Sequence, residues 1–418
     1  MTAHRHVPTR PEPARIEHVD GGTRPARLVV GLIVATLICM TISSIALNDS
    51  RRLAEGIAEH RDDVAFYVLP SPVSAGAPGE IIRSERLLSA PEGANAWRIL
   101  YHSRDVHGAD ILVSGVIVAP AGPPPSGGRT IVSWGHPTTG AAPRCAPSMG
   151  VDPFDLIEGL HALLEEGYIV AATDYAGMGA PSQNSYLVGP TEGQNMLDAA
   201  RAARNLPETG ASDRLVLWGH SQGGQAALFA GELAPTYAPE FDLLAAAVAA
   251  PASDLGALFD ADVGDVSGVT IGSYAFLAYA EVYAGVAGVR LDSILTPAGI
   301  EAAQSVAPLC LLSQNKQIHE ITDPVVGNFL LHDPATTQPW ADLLAANTPG
   351  SKPLAVPLLV VQGEADTLVR PEITERFVAH ERSIGTRVTY LPFPHIDHGL
   401  IAIVAMPDVI KWLREVGA

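Results

Sequence analysis

The sequence predicts an α/β fold whose central sheet is mainly parallel. Short apolar runs recur along the chain from Thr130 onward, and segments with helical periodicity separate them. Strands that have a helix on each side in the sequence form parallel sheets, and the helices cover both faces. With 418 residues, of which 47% are hydrophobic and 17% charged, the chain is large enough for one such domain with an insertion.

The individual elements follow from these patterns. Six apolar runs are predicted to be strands: Thr130–Trp134, Tyr168–Ala172, Leu215–Trp218, Ala245–Ala250, Leu358–Val361 and Val388–Leu391. Five segments have helical periodicity: Pro153–Glu166, Glu192–Leu206, Gln222–Leu233, Pro371–Ile384 and Val404–Val416. Before them, Ala96–Arg104 and Ile111–Ala119 flank a short turn and are predicted to form a hairpin.

The interval between the fourth and fifth of these strands is too long for a loop. We therefore expect a catalytic domain in residues 66–255 and 352–418, with a cap or lid insertion at 256–351. The centre of the insertion, Val269–Val289, carries a single charge, Glu281. Its glycines and tyrosines, and the lack of flanking cations, favour an apolar cap helix over a second membrane span.

The N-terminal region contains a membrane-segment candidate. Leu28–Leu47 has no charge and is long enough to cross a bilayer core of ~30 Å as a helix. The arginines before it place residues 1–27 in the cytoplasm as a leader and the rest of the chain outside, after a stalk at 48–65. A cleaved signal peptide is the alternative, with Ser44–Ala46 as its cleavage site. The protein is thus expected to be exported, and either anchored or secreted.

Charge and cysteine content exclude some functional classes. The net charge of −19 repels phosphate backbones, which argues against a nucleic-acid partner. Cys39 lies in the apolar run. Cys145 and Cys310 are isolated from each other in the sequence and have no short-range Cys or His partner, so the spacing of a zinc site is absent. His395 and His398 would supply only two ligands, so no metal site is predicted.

The strongest chemical motif is Gly219-His220-Ser221-Gln222-Gly223, in the pattern G-x-S-x-G. It comes directly after a predicted strand and directly before a predicted helix, which is the context of a nucleophile elbow. The glycines are needed because the turn is too tight for side chains at those two positions. Ser221 is therefore the predicted nucleophile; the alternative is a glycine-rich structural turn.

A serine nucleophile needs a base and an orienting acid, which follow it in the order Ser, Asp, His. Asp366 stands in the loop after a predicted strand and is preferred to Glu364 as the acid. His398, between the last predicted strand and the last helix, is the predicted base, with His395 as its rival. A surface or capping role is the alternative for either histidine.

The oxyanion of the reaction needs two backbone N–H donors, one of them from the residue after the nucleophile. That residue is Gln222. The second donor should lie in the loop His136–Gly140, after an earlier strand. Pro137 has no N–H, so Thr138 is the predicted donor, against the alternative of an ordinary Pro-Thr turn.

Together these motifs resemble the secretory lipases of the α/β-hydrolase superfamily, which include the fungal lipase A type. The resemblance extends from Phe66 to the C-terminus. It rests on WGHPTTG at Trp134–Gly140, RCAPS at Arg144–Ser148, ATDYAGMG at Ala172–Gly179, GHSQGG at Gly219–Gly224, and the late Asp366 and His398. The chain differs from many relatives in its long leader and in having Pro137 where many hydrolases have glycine.

The resemblance implies an α/β-hydrolase fold, hydrolysis of carboxylic esters or triacylglycerols, and a lid inserted between nucleophile and acid. It also implies a disulfide between Cys145 and a lid cysteine, here Cys310. In the expected mechanism the serine attacks a hydrophobic ester, and no cofactor is needed. The expected partners are a small-molecule or lipid ester and, through Leu28–Leu47, a membrane. An acyltransferase, a peptidase and a non-catalytic membrane-tethered binding module are the alternatives.

Overall fold

A computed structural model describes residues 50–60, 65–69 and 73–418. The predicted leader and the segment Leu28–Leu47 lie outside the described residues. None of the described helices combines the length and the apolar character needed to cross a membrane.

The described part of the chain contains a nine-stranded sheet in the order β1-β2-β3-β5-β4-β6-β7-β8-β9. The first three strands form an antiparallel meander, and β3 pairs antiparallel with β5. From β5 across to β9, every neighbouring pair is parallel, which confirms the predicted mainly parallel sheet. The strands are β1 Ile81–Leu87, β2 Ala94–Arg104, β3 Asp110–Pro120, β4 Arg129–Gly135, β5 Ile169–Thr173, β6 Ala211–His220, β7 Asp242–Ala249, β8 Leu358–Gly363 and β9 Val388–Phe393.

Helices cover both faces of this sheet and form the insertion. They are α1 Leu160–Glu165, α2 Gly189–Arg204, α3 Gln222–Tyr237, α4 Leu255–Asp262, α5 Val266–Val282, α6 Pro297–Val306, α7 Leu311–Thr322, α8 Trp340–Ala346, α9 Pro371–Ile384, α10 Ile401–Val404 and α11 Met406–Val416. Neighbouring strand residues point to opposite faces. In β6, Leu215 and Leu217 join the apolar cluster under α2 and α3, whereas Val216 and Trp218 join the cluster on the other face.

The insertion between β7 and β8 contains five helices, α4 to α8. The side chains of Asp254 and Asp265 accept backbone N–H hydrogen bonds at the starts of α4 and α5, which satisfies donors that a helix leaves free. Around Phe276 of α5, the rings of Phe259 and Trp340 lie 5.0 and 5.7 Å away. The apolar helix predicted in Val269–Val289 is therefore present, but it ends at Val282 because Tyr283 leaves helical geometry.

The segment predicted as a stalk contacts the domain. Residues 50–60 are helical, and Arg52 forms an ion pair with Asp152 at 3.0 Å. Farther along the same helix, a ring nitrogen of His60 lies 2.9 Å from the carbonyl oxygen of Met149. Polar side chains in this segment thus bind the domain surface. The composition of the segment alone does not show whether its polar side chains contact the domain or only solvent.

A disulfide joins Cys145 to Cys310 across 165 residues of sequence. Cys145 ends a short 3-10 helix after β4, and Cys310 precedes α7 of the insertion. Both cysteines are buried. The bond therefore ties the insertion to the loop that follows β4.

Replacing both cysteines by serine is expected to lower the free energy of unfolding by up to about 5 kcal/mol, because the crosslink restricts a long loop in the unfolded chain. Denaturant unfolding of the wild type and the double variant measures the difference. Peptide mapping after alkylation of the unfolded, unreduced protein provides the control. Alkylation of Cys145 and Cys310 in that sample would contradict the disulfide.

Candidate active site

The turn from β6 into α3 places Ser221 at the C-terminal edge of the parallel sheet. Ser221 has φ 56° and ψ −116°, a conformation that side chains rarely adopt. Its backbone N–H donates to the carbonyl of Ala249 at 2.9 Å, and its carbonyl accepts from Ala252 at 3.0 Å. These contacts with the end of β7 hold the strained residue in place.

The glycines of the motif permit a close approach of three backbones. A Cβ added to Gly219 would lie 2.0 Å from the carbonyl oxygen of Gly223. A Cβ added to Gly223 would lie 1.9 Å from the carbonyl oxygen of Gly135, the last residue of β4. The first turn of α3 thus packs against β4 and β6 with no space for a side chain between them.

Ser221, His398 and Asp366 are joined by hydrogen bonds in that order. The Ser221 hydroxyl lies 2.9 Å from Nε2 of His398, and Nδ1 of His398 lies 2.7 Å from Oδ2 of Asp366. The backbone N–H groups of Leu368 and Val369 donate to Oδ1 of Asp366 at 2.9 and 2.8 Å. This arrangement fixes the imidazole with Nδ1–H toward the carboxylate and leaves Nε2 to accept the serine proton.

The two rival residues lie elsewhere. Glu364 is exposed, and its backbone N–H donates to the carbonyl of Phe393. His395 is exposed and has φ 63° in the turn after β9. The structure therefore brings Asp366 and His398, but neither rival, into the hydrogen-bonded group with Ser221.

Thr138 and Gln222 lie side by side at the mouth of this site. The Thr138 hydroxyl donates to Oε1 of Gln222 at 3.2 Å. In the described part of the chain, neither backbone N–H finds a protein acceptor. Two unpaired N–H groups next to the Ser221 hydroxyl have the form of an oxyanion hole.

The insertion holds the loop that carries Thr138. The backbone N–H of Leu311 donates to the carbonyl of Thr139 at 2.8 Å, and Gly140 forms an antiparallel bridge with Cys310. The disulfide from Cys310 to Cys145 adds a covalent bond five residues after Gly140 in the same loop region. The start of helix α7 is therefore bound to the loop by a hydrogen bond, a β-bridge and a disulfide.

A mainly apolar cavity of about 130 Å³ opens beside Ser221. Helices α4 and α5 and the start of α7 supply much of its wall, and the loops at the C-terminal edge of the sheet supply the rest. Its apolar lining consists of Pro137, Leu187, Ala252, Leu255, Leu258, Phe259, Ile271, Leu311, Leu368 and Val369. Asp262 also lines it, and burial raises the pKa of that carboxyl to about 6.

Two titratable side chains next to the site were not predicted from the sequence. His220 is buried, its Nδ1 lies 2.9 Å from Oε2 of Glu158, and its ring centroid lies 4.9 Å from that of His398. Glu192 is fully buried in the first turn of α2, where its carboxyl accepts a hydrogen bond from Gln222. The position of His220 directly before Ser221 could have indicated that it lies next to the site. No sequence motif marks Glu192.

No cluster of three or more metal-ligating side chains occurs in the part of the chain that the structure describes. The chemistry available to the site is that of a hydroxyl, an imidazole, a carboxylate and backbone amides. Such a set can transfer an acyl group through a covalent intermediate.

The sequence model of one protein family, described as secretory lipase, matches residues 155–416. Probable inactive lipase MT1628 of Mycobacterium tuberculosis is 25% identical over 380 residues, which cover 84% of this chain and 81% of that protein. Lipase 4 of Candida albicans is 29% identical over 225 residues, which cover 48% of this chain and 47% of that protein.

Among solved structures, Candida antarctica lipase A in its closed state resembles this chain with a TM-score of 0.68. The likeness covers 84% of this chain and 85% of that one at 18% identity. It shows the shared fold and confirms the predicted α/β-hydrolase fold of the described domain.

Gly223→Ala is expected to lower the free energy of unfolding by about 3 kcal/mol or more, because the new methyl group would overlap the Gly135 carbonyl. Gly264→Ala is the matched control, since no described atom lies within 4 Å of a Cβ placed there. Denaturant titration measures both. Equal stability of the two variants would contradict the close backbone contact.

Proposed function

The chain belongs to the secretory lipase family, and from this premise we propose that it hydrolyses esters of apolar acyl groups through a serine-linked acyl-enzyme. The observation that carries the proposal is the hydrogen-bonded order of Ser221, His398 and Asp366. Ser221 and His398 line one cavity whose walls are mainly apolar, and Asp366 lies behind His398. A lipid or other hydrophobic ester suits such a cavity.

In the first half of the proposed reaction, Nε2 of His398 takes the proton of Ser221 while Oγ bonds to the ester carbonyl carbon. Asp366 holds Nδ1–H and stabilises the imidazolium that forms. The resulting oxyanion accepts hydrogen bonds from the backbone N–H groups of Gln222 and Thr138. The tetrahedral intermediate then expels the alcohol, which takes the proton from His398, and the acyl group remains on Ser221.

The second half repeats these steps with water. His398 takes a proton from water, whose oxygen bonds to the acyl carbon. The oxyanion again lies against the two amides. When the intermediate collapses, the bond to Ser221 breaks, the proton returns to the serine oxygen, and the carboxylic acid leaves. The same groups therefore serve both halves.

We propose that residues 256–351 act as a lid over a catalytic domain formed by 66–255 and 352–418. Helices of this segment supply much of the apolar wall of the cavity, including Leu258, Phe259 and Ile271. An acyl chain would then lie against the lid.

A non-catalytic binding module is the second candidate, since one relative is named an inactive lipase. That name belongs to the relative. Here the hydrogen bonds that a serine mechanism requires are present on all three side chains. Turnover of an ester, or its absence, separates the two candidates.

The family supports export of the protein. We propose further that Leu28–Leu47 anchors it to the membrane, or serves as a signal peptide if it is cleaved. This part of the proposal rests on the sequence, because the segment lies outside the described residues.

Ser221→Ala and His398→Ala are each expected to lower kcat for p-nitrophenyl ester hydrolysis by several orders of magnitude, because each removes a group that forms or breaks bonds in the transition state. His395→Ala is the matched control. The exposed His395 does not bind Ser221, so its replacement should change kcat less than about threefold. A tenth of the wild-type rate in Ser221→Ala would exclude the serine mechanism.

Phe259→Ala is expected to shift the preference toward longer acyl chains, because Phe259 lines the cavity and loss of its ring enlarges it. The ring also packs against Phe276, with centroids 5.0 Å apart. The ratio of kcat/KM for long over short p-nitrophenyl esters should rise about tenfold, the effect of one or two methylene groups in an apolar pocket. Phe329→Ala is the control, since Phe329 belongs to the same aromatic cluster but does not line the cavity. Equal chain-length profiles in both variants would contradict the assignment.

A further inference from the structure

A buried carboxyl group lies behind the two proposed oxyanion donors. Glu192 stands in the first turn of α2, and its side chain is fully buried. Its Oε1 accepts two hydrogen bonds, one from Nε2 of Gln222 at 2.7 Å and one from the backbone N–H of Leu187 at 2.9 Å. The carboxyl group thus binds the side chain of the residue that follows the nucleophile.

The hydrogen bonds continue from Gln222 to the second donor. Oε1 of Gln222 accepts from the Thr138 hydroxyl at 3.2 Å. The Thr138 oxygen lies 2.7 Å from the Tyr186 hydroxyl and accepts from it, because its own proton is used toward Gln222. Tyr186, Thr138, Gln222 and Glu192 therefore form one directed chain that links both residues of the proposed oxyanion hole.

The other oxygen of the carboxyl group, Oε2 of Glu192, is buried and has no partner among the described residues. The titratable groups that face Glu192 are the hydroxyls of Tyr175, Tyr186 and Tyr279, which come from three separate segments and carry no positive charge. Burial raises the pKa of Glu192 to about 8, although the hydrogen bonds from Gln222 and Leu187 favour the charged form. The raised pKa favours the neutral carboxylic acid over the carboxylate.

We propose that Glu192 is a positioning residue whose carboxyl group, through its hydrogen bond to Gln222, holds Gln222 and Thr138 so that their backbone N–H groups meet the oxyanion. The inference rests on the proposed hydrolase function. Ionised Glu192 would add a negative charge behind the site where the oxyanion forms, and like charges in a buried site repel strongly.

The neutral form predicts a direction for the pH dependence. Glu192 has a raised pKa, so the active form is present below that pKa and is lost as the pH rises through it. We expect kcat to fall on the alkaline side, with an apparent pKa near 8. A purely structural role, such as a hydrogen-bond acceptor for Leu187, does not require such a fall.

The experiment compares kcat and KM of the full chain with those of Glu192→Gln and Glu192→Ala between pH 6 and 10, with a p-nitrophenyl ester as substrate. Glu192→Gln keeps an acceptor for Gln222 and stays uncharged, so it should retain kcat within about threefold and lose the alkaline fall. Glu192→Ala should lower kcat about 10- to 100-fold with little change in KM, the scale of a disturbed oxyanion donor.

Two further variants complete the design. Glu232→Gln is the control, because Glu232 is another buried glutamate whose partners, Gly350 and Ser351, lie outside the site. Its pH profile should match the wild type. Thr138→Val breaks the chain between Tyr186 and Gln222 without touching Glu192, and should lower kcat about tenfold even if Glu192→Gln does not fold.

A readout without turnover separates this inference from the proposed function. The infrared difference between wild type and Glu192→Gln at pH 6 should contain the carbonyl stretch of a protonated carboxyl group, and this band should disappear by pH 10. An inert wild type that shows this band would overturn the proposed function but not the neutral state of Glu192. Absence of the band, or an alkaline fall unchanged in Glu192→Gln, would overturn the inference.

Discussion

The close backbone contact between α3 and the strands beneath it is the constraint on which the site depends. Gly223 lies so near the end of β4 that any side chain would overlap the Gly135 carbonyl, and Gly219 is equally close to Gly223. This contact makes the turn after β6 tight enough to force a positive φ on Ser221. The strain is balanced by backbone hydrogen bonds to the end of β7 and by the buried helix that follows.

The remaining groups reach Ser221 because the parallel strands end at the same edge of the sheet. Asp366 follows β8 and His398 follows β9, while the loop with Thr138 follows β4. The insertion then closes over this edge and is bound to the β4 loop by the disulfide and by the Leu311 hydrogen bond. One edge of the sheet thus carries the proposed nucleophile, its proposed base and the proposed oxyanion donors, and the insertion adds a mainly apolar wall.

Local sequence signals predicted the elements that depend on local physics. Pro371–Ile384 matches α9 at both ends, because proline begins the helix and Gly385, with φ 111°, ends it. The helix predicted from Pro153 begins only at Leu160, after Gly159 with φ 87°, since turns occupy the preceding residues. Glu192 could not be assigned a role from its helical position, because its partner Gln222 is a neighbour only in the folded chain.

Covalent labelling with a fluorophosphonate probes the proposed role of Ser221 without a substrate, since the reagent bonds to a serine oxygen that a neighbouring base has activated. One adduct per chain is expected, located on Ser221 by peptide mapping, with at least a hundredfold slower labelling of His398→Ala. An unlabelled wild type, or an adduct on another residue, would contradict this role.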